Sequence, residues 1–128
     1  MTYRILLILA MMAVWGEPLA SQETLRERAR ETLPASVFER VDALARQAEA
    51  EGVPPDPLFN KALEGMAKRV PADRIVPAVD RYAGQLRMAR QAFGPAGTGP
   101  LLVAGADALQ RGVQADLLRR FGQPHEDM

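Results

Sequence analysis

The same helix corner occurs three times along this chain, at residues 52–58, 69–75 and 112–118. Each copy has a valine directly after its first residue and an aspartate three positions after that valine. Glycine, which begins two of the copies, allows the left-handed backbone that closes a helix. The aspartate is stabilised near the positive N-terminal end of the next helix. The repeat therefore predicts a chain of short helices joined by tight turns.

Each corner combines a turn with a hydrophobic contact. In the first two copies the valine is followed by proline, which suits the first turn of a helix. The valine can also pack on the apolar residue five positions later and so fix the direction of the new helix. Because Arg69 stands where the other copies have glycine, we expect backbone strain in the second corner. The predicted corner residues are Gly52, Val53, Pro54, Asp56, Val70, Pro71, Asp73, Gly112, Val113 and Asp116.

Apolar residues between the corners recur with the period of an α-helix. The clearest stripe is the one formed by Ile75, Val79, Tyr82, Leu86, Ala89 and Phe93. The expected helices span residues 22–32, a second segment that begins at Ser36 and ends at Gly52, and then residues 57–69, 72–93, 101–111 and 115–121. These spans predict an all-α fold of five or six short helices, packed as an irregular helical bundle or a short α-solenoid.

Two helix starts carry specific expectations. Ser36 and Glu39 have the spacing of a capping box, in which each side chain accepts a hydrogen bond from a free backbone N–H of the first turn. Pro77 would remove a hydrogen bond from a helix interior. We therefore expect Asp73 to cap the fourth helix, which would put Pro77 in its first turn, or else the helix to be bent where it starts.

The first 21 residues have the pattern of a cleaved signal peptide. Arg4 precedes an uncharged apolar run, Ile5–Trp15, and Gly16 and Pro18 follow it. The run is too short to cross a bilayer, which takes about 20 residues. We expect the mature chain to begin between Ser21 and Glu23 and to be periplasmic or secreted, with no stable membrane anchor. The chain contains no cysteine, so no lipoprotein lipid is expected.

The remaining chain is predicted to be one helical domain, residues 22–121, with a Gly/Pro linker at 94–100 and a polar tail at 122–128. Without cysteine, its stability must come from packing rather than disulfide bonds. The whole chain has 16 basic and 16 acidic residues and a formal net charge of zero. A neutral chain has no long-range attraction for nucleic acid, so no nucleic-acid partner is expected.

Residues that could support catalysis are few. The linker lacks the lysine and hydroxyl residue of a phosphate-binding loop, and the only histidine, His125, lies in the polar tail. No nucleophile, base and orienting group can therefore be assembled on the helices. We predict no catalytic residue, metal ligand or cofactor. Two carboxylate pairs, Glu64 with Asp73 and Asp73 with Asp80, leave open a small hydrolase acting on cell-wall or sugar substrates.

The sequence is best interpreted as a non-enzymatic exported helical interaction module with a protein partner. A ligand-carrying bundle is a further alternative, which would need a cavity among Leu58, Met66, Val79 and Leu86. Residues 108–120 also have the spacing of a DNA-binding helix-turn-helix, in which the second helix reads the major groove. The export signal and the zero net charge disfavour that interpretation.

One segment carries a family resemblance. Residues 60–75, NKALEGMAKRVPADRI, resemble uncharacterised exported bacterial helical proteins with repeated G-V-P-x-D helix corners. The resemblance implies an exported helical protein and no particular activity. Arg69 and Pro77 depart from the glycine and alanine expected at those positions.

Overall fold

The computed structural model describes residues 24–122 and shows six α-helices without a β-strand in that range. The helices are α1 (Leu25–Thr32), α2 (Ala35–Ala50), α3 (Asp56–Ala67), α4 (Ala72–Phe93), α5 (Gly99–Gln110) and α6 (Ala115–Gly122), with a 3₁₀ turn at Gly94–Ala96. The prediction of an all-α fold is confirmed. No helix in this range is both long and apolar enough to cross a membrane. The predicted signal peptide and His125 lie outside the described residues.

Helix α4 is the centre of the bundle. It packs against α2, α3, α5 and α6, whereas α1 packs on α2 and α3. Its apolar residues recur every three or four positions, so they form one stripe along the helix. That stripe is buried over the whole length of α4, as the sequence predicts, and none of its residues is more than 6 % exposed: Ile75, Val79, Tyr82, Leu86, Ala89 and Phe93.

The three corners share one backbone geometry. In each, the residue before the valine has positive φ: 78° at Gly52, 59° at Arg69 and 92° at Gly112. The valine N–H donates to the carbonyl oxygen five residues earlier, at 2.8, 2.9 and 3.0 Å respectively. The positive-φ residue donates to the carbonyl three residues before it, at 3.1 Å in all three. This double hydrogen bond is the Schellman motif, which satisfies carbonyls that the helix end leaves free.

The side chains of the corners contribute unequally. Val53 is buried with Leu58, whereas Val70 and Val113 are only half-buried and pack at the edge of the core. Asp56, Asp73 and Asp116 each lie in the first turn of a helix. In α3 and α4 no side chain makes a capping hydrogen bond. Asp56 and Asp73 therefore act through their charge near the helix N-terminus rather than as caps.

Arg69 is the non-glycine residue with positive φ among the described residues, and its backbone adopts a conformation that costs an L-residue about 1–2 kcal/mol. Glycine adopts positive φ without that cost, so we expect Arg69→Gly to increase the free energy of unfolding by about 0.5–1 kcal/mol. The gain is smaller than the full cost because glycine also has greater conformational freedom in the unfolded chain. Arg81→Gly, at an exposed position in the interior of α4, should lower the free energy of unfolding by about 1 kcal/mol. Urea denaturation of both variants checks this, and a loss of stability in Arg69→Gly would contradict it.

Two glycines let α5 and α6 approach the end of α4. A Cβ atom added to Gly105 of α5 would lie 2.6 Å from Phe93 Cε2 and 3.0 Å from Ala89 Cβ. One added to Gly122 of α6 would lie 2.9 Å from the Cα of Phe93. Glycine lets α5 and α6 contact α4 closely at these two positions, and any larger residue there would force the helices apart.

Gly105→Ala should lower the free energy of unfolding by about 1–3 kcal/mol, because the new methyl group overlaps Phe93 and Ala89. Gly84 is the matched control, since it is also helical and a Cβ there meets nothing within 4 Å. Gly84→Ala should raise the free energy of unfolding by up to about 1 kcal/mol through helix propensity alone. Equal melting temperatures for the two variants would show that α5 does not pack tightly on α4.

The expected capping box at Ser36 and Glu39 is wrong. Helix α2 begins at Ala35 with Pro34 as its N-cap residue, and no side chain caps it. Pro34 has φ −53° and ψ 143°, so the chain becomes helical directly after it. Ser36 is then already inside the first turn, where its hydroxyl cannot act as the N-cap.

The position expected for Pro77 in the first turn is also wrong. Helix α4 begins at Ala72 after Pro71, and Pro77 lies inside it. Pro77 has no N–H to donate to the carbonyl of Asp73, one turn earlier. Both residues are on the exposed side of the helix, where water can hydrate that carbonyl. The expected linker at 94–100 is likewise mostly helical, because it contains the 3₁₀ turn and the start of α5.

Ionic and aromatic contacts attach α1 to the bundle. Asp42 of α2 accepts hydrogen bonds from Arg26 Nε at 2.8 Å and Arg46 Nε at 3.0 Å. The guanidinium of Arg26 also lies over the ring of Phe59, 5.3 Å from its centroid. Burial by itself raises the pKa of Asp42, but the hydrogen bonds from Arg46 and Arg26 lower the pKa by more, and the net direction is downward.

Asp42→Asn should reduce the free energy of unfolding by about 1 kcal/mol at neutral pH. A carboxyl whose folded pKa is depressed stabilises the fold above its unfolded pKa of about 3.9, and this stabilisation is lost as the pH falls through the folded pKa. The difference from wild type should therefore disappear in acid. Urea denaturation as a function of pH measures it, with the exposed Asp80→Asn as control. A difference that persists in acid would contradict the role given to the charge of Asp42.

Candidate functional site

The strongest candidate site is a cleft where α1, α3, α4 and α5 meet. Its volume is about 370 Å³, within the usual range for small-molecule sites. Leu25, Pro57 and Val103 form its apolar wall. We call it the Tyr82 cleft; its polar lining residues are Asp56, Asn60, Lys61, Glu64, Tyr82 and Asp107.

Helix α3 supplies most of the polar lining. Asp56, Asn60 and Glu64 are four residues apart, so they share one face of the helix, with Lys61 beside them. The residues of α3 that pack into the core, Leu58, Phe59 and Ala62, are fully or almost fully buried. The amphipathic pattern of α3 therefore fixes its orientation and presents its polar face to the cleft.

Tyr82 forms the floor of the cleft. The residue is only 6 % exposed, because its ring belongs to the buried stripe of α4. Its hydroxyl makes no hydrogen bond with any described residue. It is also not among the fully buried polar atoms without a partner. The hydroxyl is therefore not fully buried, and Tyr82 lines the cleft together with Asp107 and Glu64, the two carboxylates that act on the pKa of this hydroxyl.

The charges around Tyr82 are mostly negative. Burial raises the pKa of Tyr82, and the nearby carboxylates of Asp107 and Glu64 raise it further. The ammonium of Lys61 lies over the ring, 5.6 Å from its centroid. Glu64 also accepts a hydrogen bond from Lys68 Nζ at 2.6 Å, and this bond lowers the pKa of Glu64. Three carboxylates thus line the cleft together with Lys61, and one of them, Glu64, is paired with Lys68 and stays ionised at neutral pH.

A second groove separates α2 from α4 and has a volume of about 520 Å³. We call it the α2–α4 groove. Asp73 and Asp80 both line it, opposite Arg40, so the structure brings this carboxylate pair together. Glu64 lines the Tyr82 cleft instead, so Glu64 and Asp73 do not share a site.

Helix α6 presents apolar side chains to solvent. Leu117 is 45 % exposed and Phe121 is 72 % exposed, whereas Leu118 is buried in the bundle. Leu117 and Phe121 are four residues apart, so they lie on one face of the helix. We call these two residues the α6 apolar face. Arg119 is bonded to Asp116 at 2.8 Å, and Arg120 is exposed without an ion pair among the described residues.

The residues expected from the sequence lie mainly at the three separate corners. Only Asp56 of that set lines the Tyr82 cleft. Lys61, Tyr82 and Asp107 were missed, although Tyr82 is the only polar side chain in the apolar stripe of α4, which was a usable signal. No group of three or more potential metal ligands was found among the described residues. Comparison with protein family models, curated proteins and solved structures gives no match for this chain.

Proposed function

We propose that this chain is a non-enzymatic exported interaction module that binds a protein partner through the α6 apolar face. The observation that supports this most is the exposure of Phe121, an aromatic residue at the end of a helix that already buries Leu118 in the bundle. Burial of a large apolar side chain contributes about 1.5–3 kcal/mol. Covering Leu117 and Phe121 would therefore supply a substantial part of a binding free energy.

The positive charge beside this face indicates which kind of partner surface would fit it. Arg120 lies between the two apolar residues in sequence and is exposed, and Arg119 is held by Asp116. Aromatic and arginine side chains together are the usual centres of protein interfaces. The matching surface is an apolar pocket bordered by carboxylates, with which Arg120 can form an ion pair.

A carboxylate hydrolase has less support. A general acid needs a raised pKa, whereas the hydrogen bond from Lys68 lowers the pKa of Glu64. Asp73, the second residue of that pair, lies in a different groove. Asp73 and Asp80 do share the α2–α4 groove, but both are exposed, so neither lies in the buried environment that favours a general acid. A ligand-carrying core also has less support, because Leu58, Val79 and Leu86 are fully buried and line none of the clefts described above.

Site-specific photo-crosslinking in the cell that exports the protein tests the proposal. A photoreactive residue at position 121 should form an adduct with one other polypeptide, and the same residue at Glu39, exposed on α2, should not. Leu117→Asp and Arg120→Glu should each reduce the adduct at least about tenfold, as expected for central interface residues. Both should leave the melting temperature unchanged, because the two side chains are exposed.

Three results would contradict the proposal: no adduct at position 121, an equal adduct at position 39, or an adduct that is insensitive to Leu117→Asp. An adduct of twice the chain mass would assign the face to a second copy of this chain instead. The partner should finally bind the purified protein with an affinity that falls as salt rises, since Arg120 contributes a charge pair.

A further inference from the structure

The Tyr82 cleft has the features of a site for an organic cation. It combines the carboxylates of Asp56, Asp107 and Glu64, the last of which also pairs with Lys68, with the face of an aromatic ring, and both kinds of group attract positive charge. The ammonium of Lys61, 5.6 Å from the ring centroid, already occupies such a position from within the chain. The hydroxyl of Tyr82 is an independent feature, because it belongs to an almost fully buried residue that lines the cleft and it has no hydrogen-bond partner among residues 24–122.

We propose that the Tyr82 cleft binds a linear aliphatic polyamine, with ammonium groups at Glu64 and Asp107 on one side and at Asp56 on the other. Polyamine binding is a second activity, at a site that shares no residue with the α6 apolar face.

The geometry favours a long ligand over a single ammonium ion. Asp56 and Glu64 are eight residues apart on α3, which corresponds to about 12 Å along the helix axis. Leu25, Pro57 and Val103 provide an apolar wall in the same cleft, which suits the methylene segments between ammonium groups. Asp107 from α5 lines the same cleft as Glu64, and both carboxylates raise the pKa of Tyr82. Donors and acceptors are also matched: each ammonium can donate to a carboxylate, and one can donate to the Tyr82 hydroxyl.

Lys61 makes the proposal sharply testable. Its ammonium competes with a ligand for the ring and the carboxylates, so removing the charge should strengthen polyamine binding. Lys61→Met keeps an unbranched side chain one heavy atom shorter and removes the charge. Arg40→Gln is the matched control, because it removes one positive charge from the α2–α4 groove and leaves the Tyr82 cleft intact.

The experiment is calorimetric titration of the exported, purified chain with spermidine. If the signal peptide is cleaved as the sequence predicts, Tyr82 is the only tyrosine and no tryptophan remains, since Tyr3 and Trp15 are both removed. Tyrosine absorbance then reports on this one residue during the same titration. We expect saturable 1:1 binding with a change in the Tyr82 spectrum.

The variants should separate a built site from general attraction. Asp107→Asn and Glu64→Gln should each raise the Kd about two- to fivefold, as the loss of one exposed charge pair predicts. Lys61→Met should lower the Kd by a similar factor. Asp73→Asn and Arg40→Gln, which make the same charge changes elsewhere, should alter it less than about twofold. Tyr82→Phe should weaken binding while keeping the ring.

The proposal is overturned by any of four results. These are no saturable binding of spermidine, an equal change of the Kd in Asp107→Asn and Asp73→Asn, a Kd in Lys61→Met that is no lower than in wild type, or Mg²⁺ at the same concentration of positive charge competing as well as spermidine itself. The last would mean attraction of any cation. A neutral diol of similar length should not bind, and a lysine-rich peptide that binds more tightly than spermidine would assign the cleft to protein side chains instead. Leu117→Asp should not affect the titration, so this proposal and the protein-partner proposal can fail separately.

Discussion

The buried face of α4 is the surface on which the other helices assemble. Four of the five other helices pack directly against it, and α1 is held by α2 and α3. Its stripe is continuous from Ile75 to Phe93, so the lengths and positions of the surrounding helices must match a single long element. Without cysteine in the chain, no covalent link can replace this packing. At the end of α4, α5 and α6 can pack close to Phe93 only because Gly105 and Gly122 have no side chains.

Much of the fold could be predicted because its determinants are local. The period of the α4 stripe identified the longest helix and its end at Phe93, although the cap expected at Asp73 would start the helix two residues too late. The start of α2 and the position of Pro77 were mispredicted for a shared reason. In both cases a proline one residue before the helix, Pro34 or Pro71, sets the start, and the side chains thought to cap the helix fall inside it.

The Tyr82 cleft could not be predicted in the same way, because it is assembled from residues distant in sequence. Asp56, Tyr82 and Asp107 come from three helices, and only their packing brings them together. The polar face of α3 could equally have been an ordinary solvated surface. What distinguishes it is its position beside Tyr82, a residue that is buried in the core and also lines the cleft. One side chain thus belongs to both the core and the candidate site.

The repeated corner has a consequence for how the chain folds. Its two hydrogen bonds connect residues no more than five positions apart, so a corner can close before distant parts of the chain have met. The entropy lost in closing so short a loop is small. Chains dominated by such near contacts fold rapidly compared with those that depend on distant pairing. The direction of the chain at three of its turns is therefore settled early, and what remains is a search among a few preformed helix pairs for the one arrangement that covers α4.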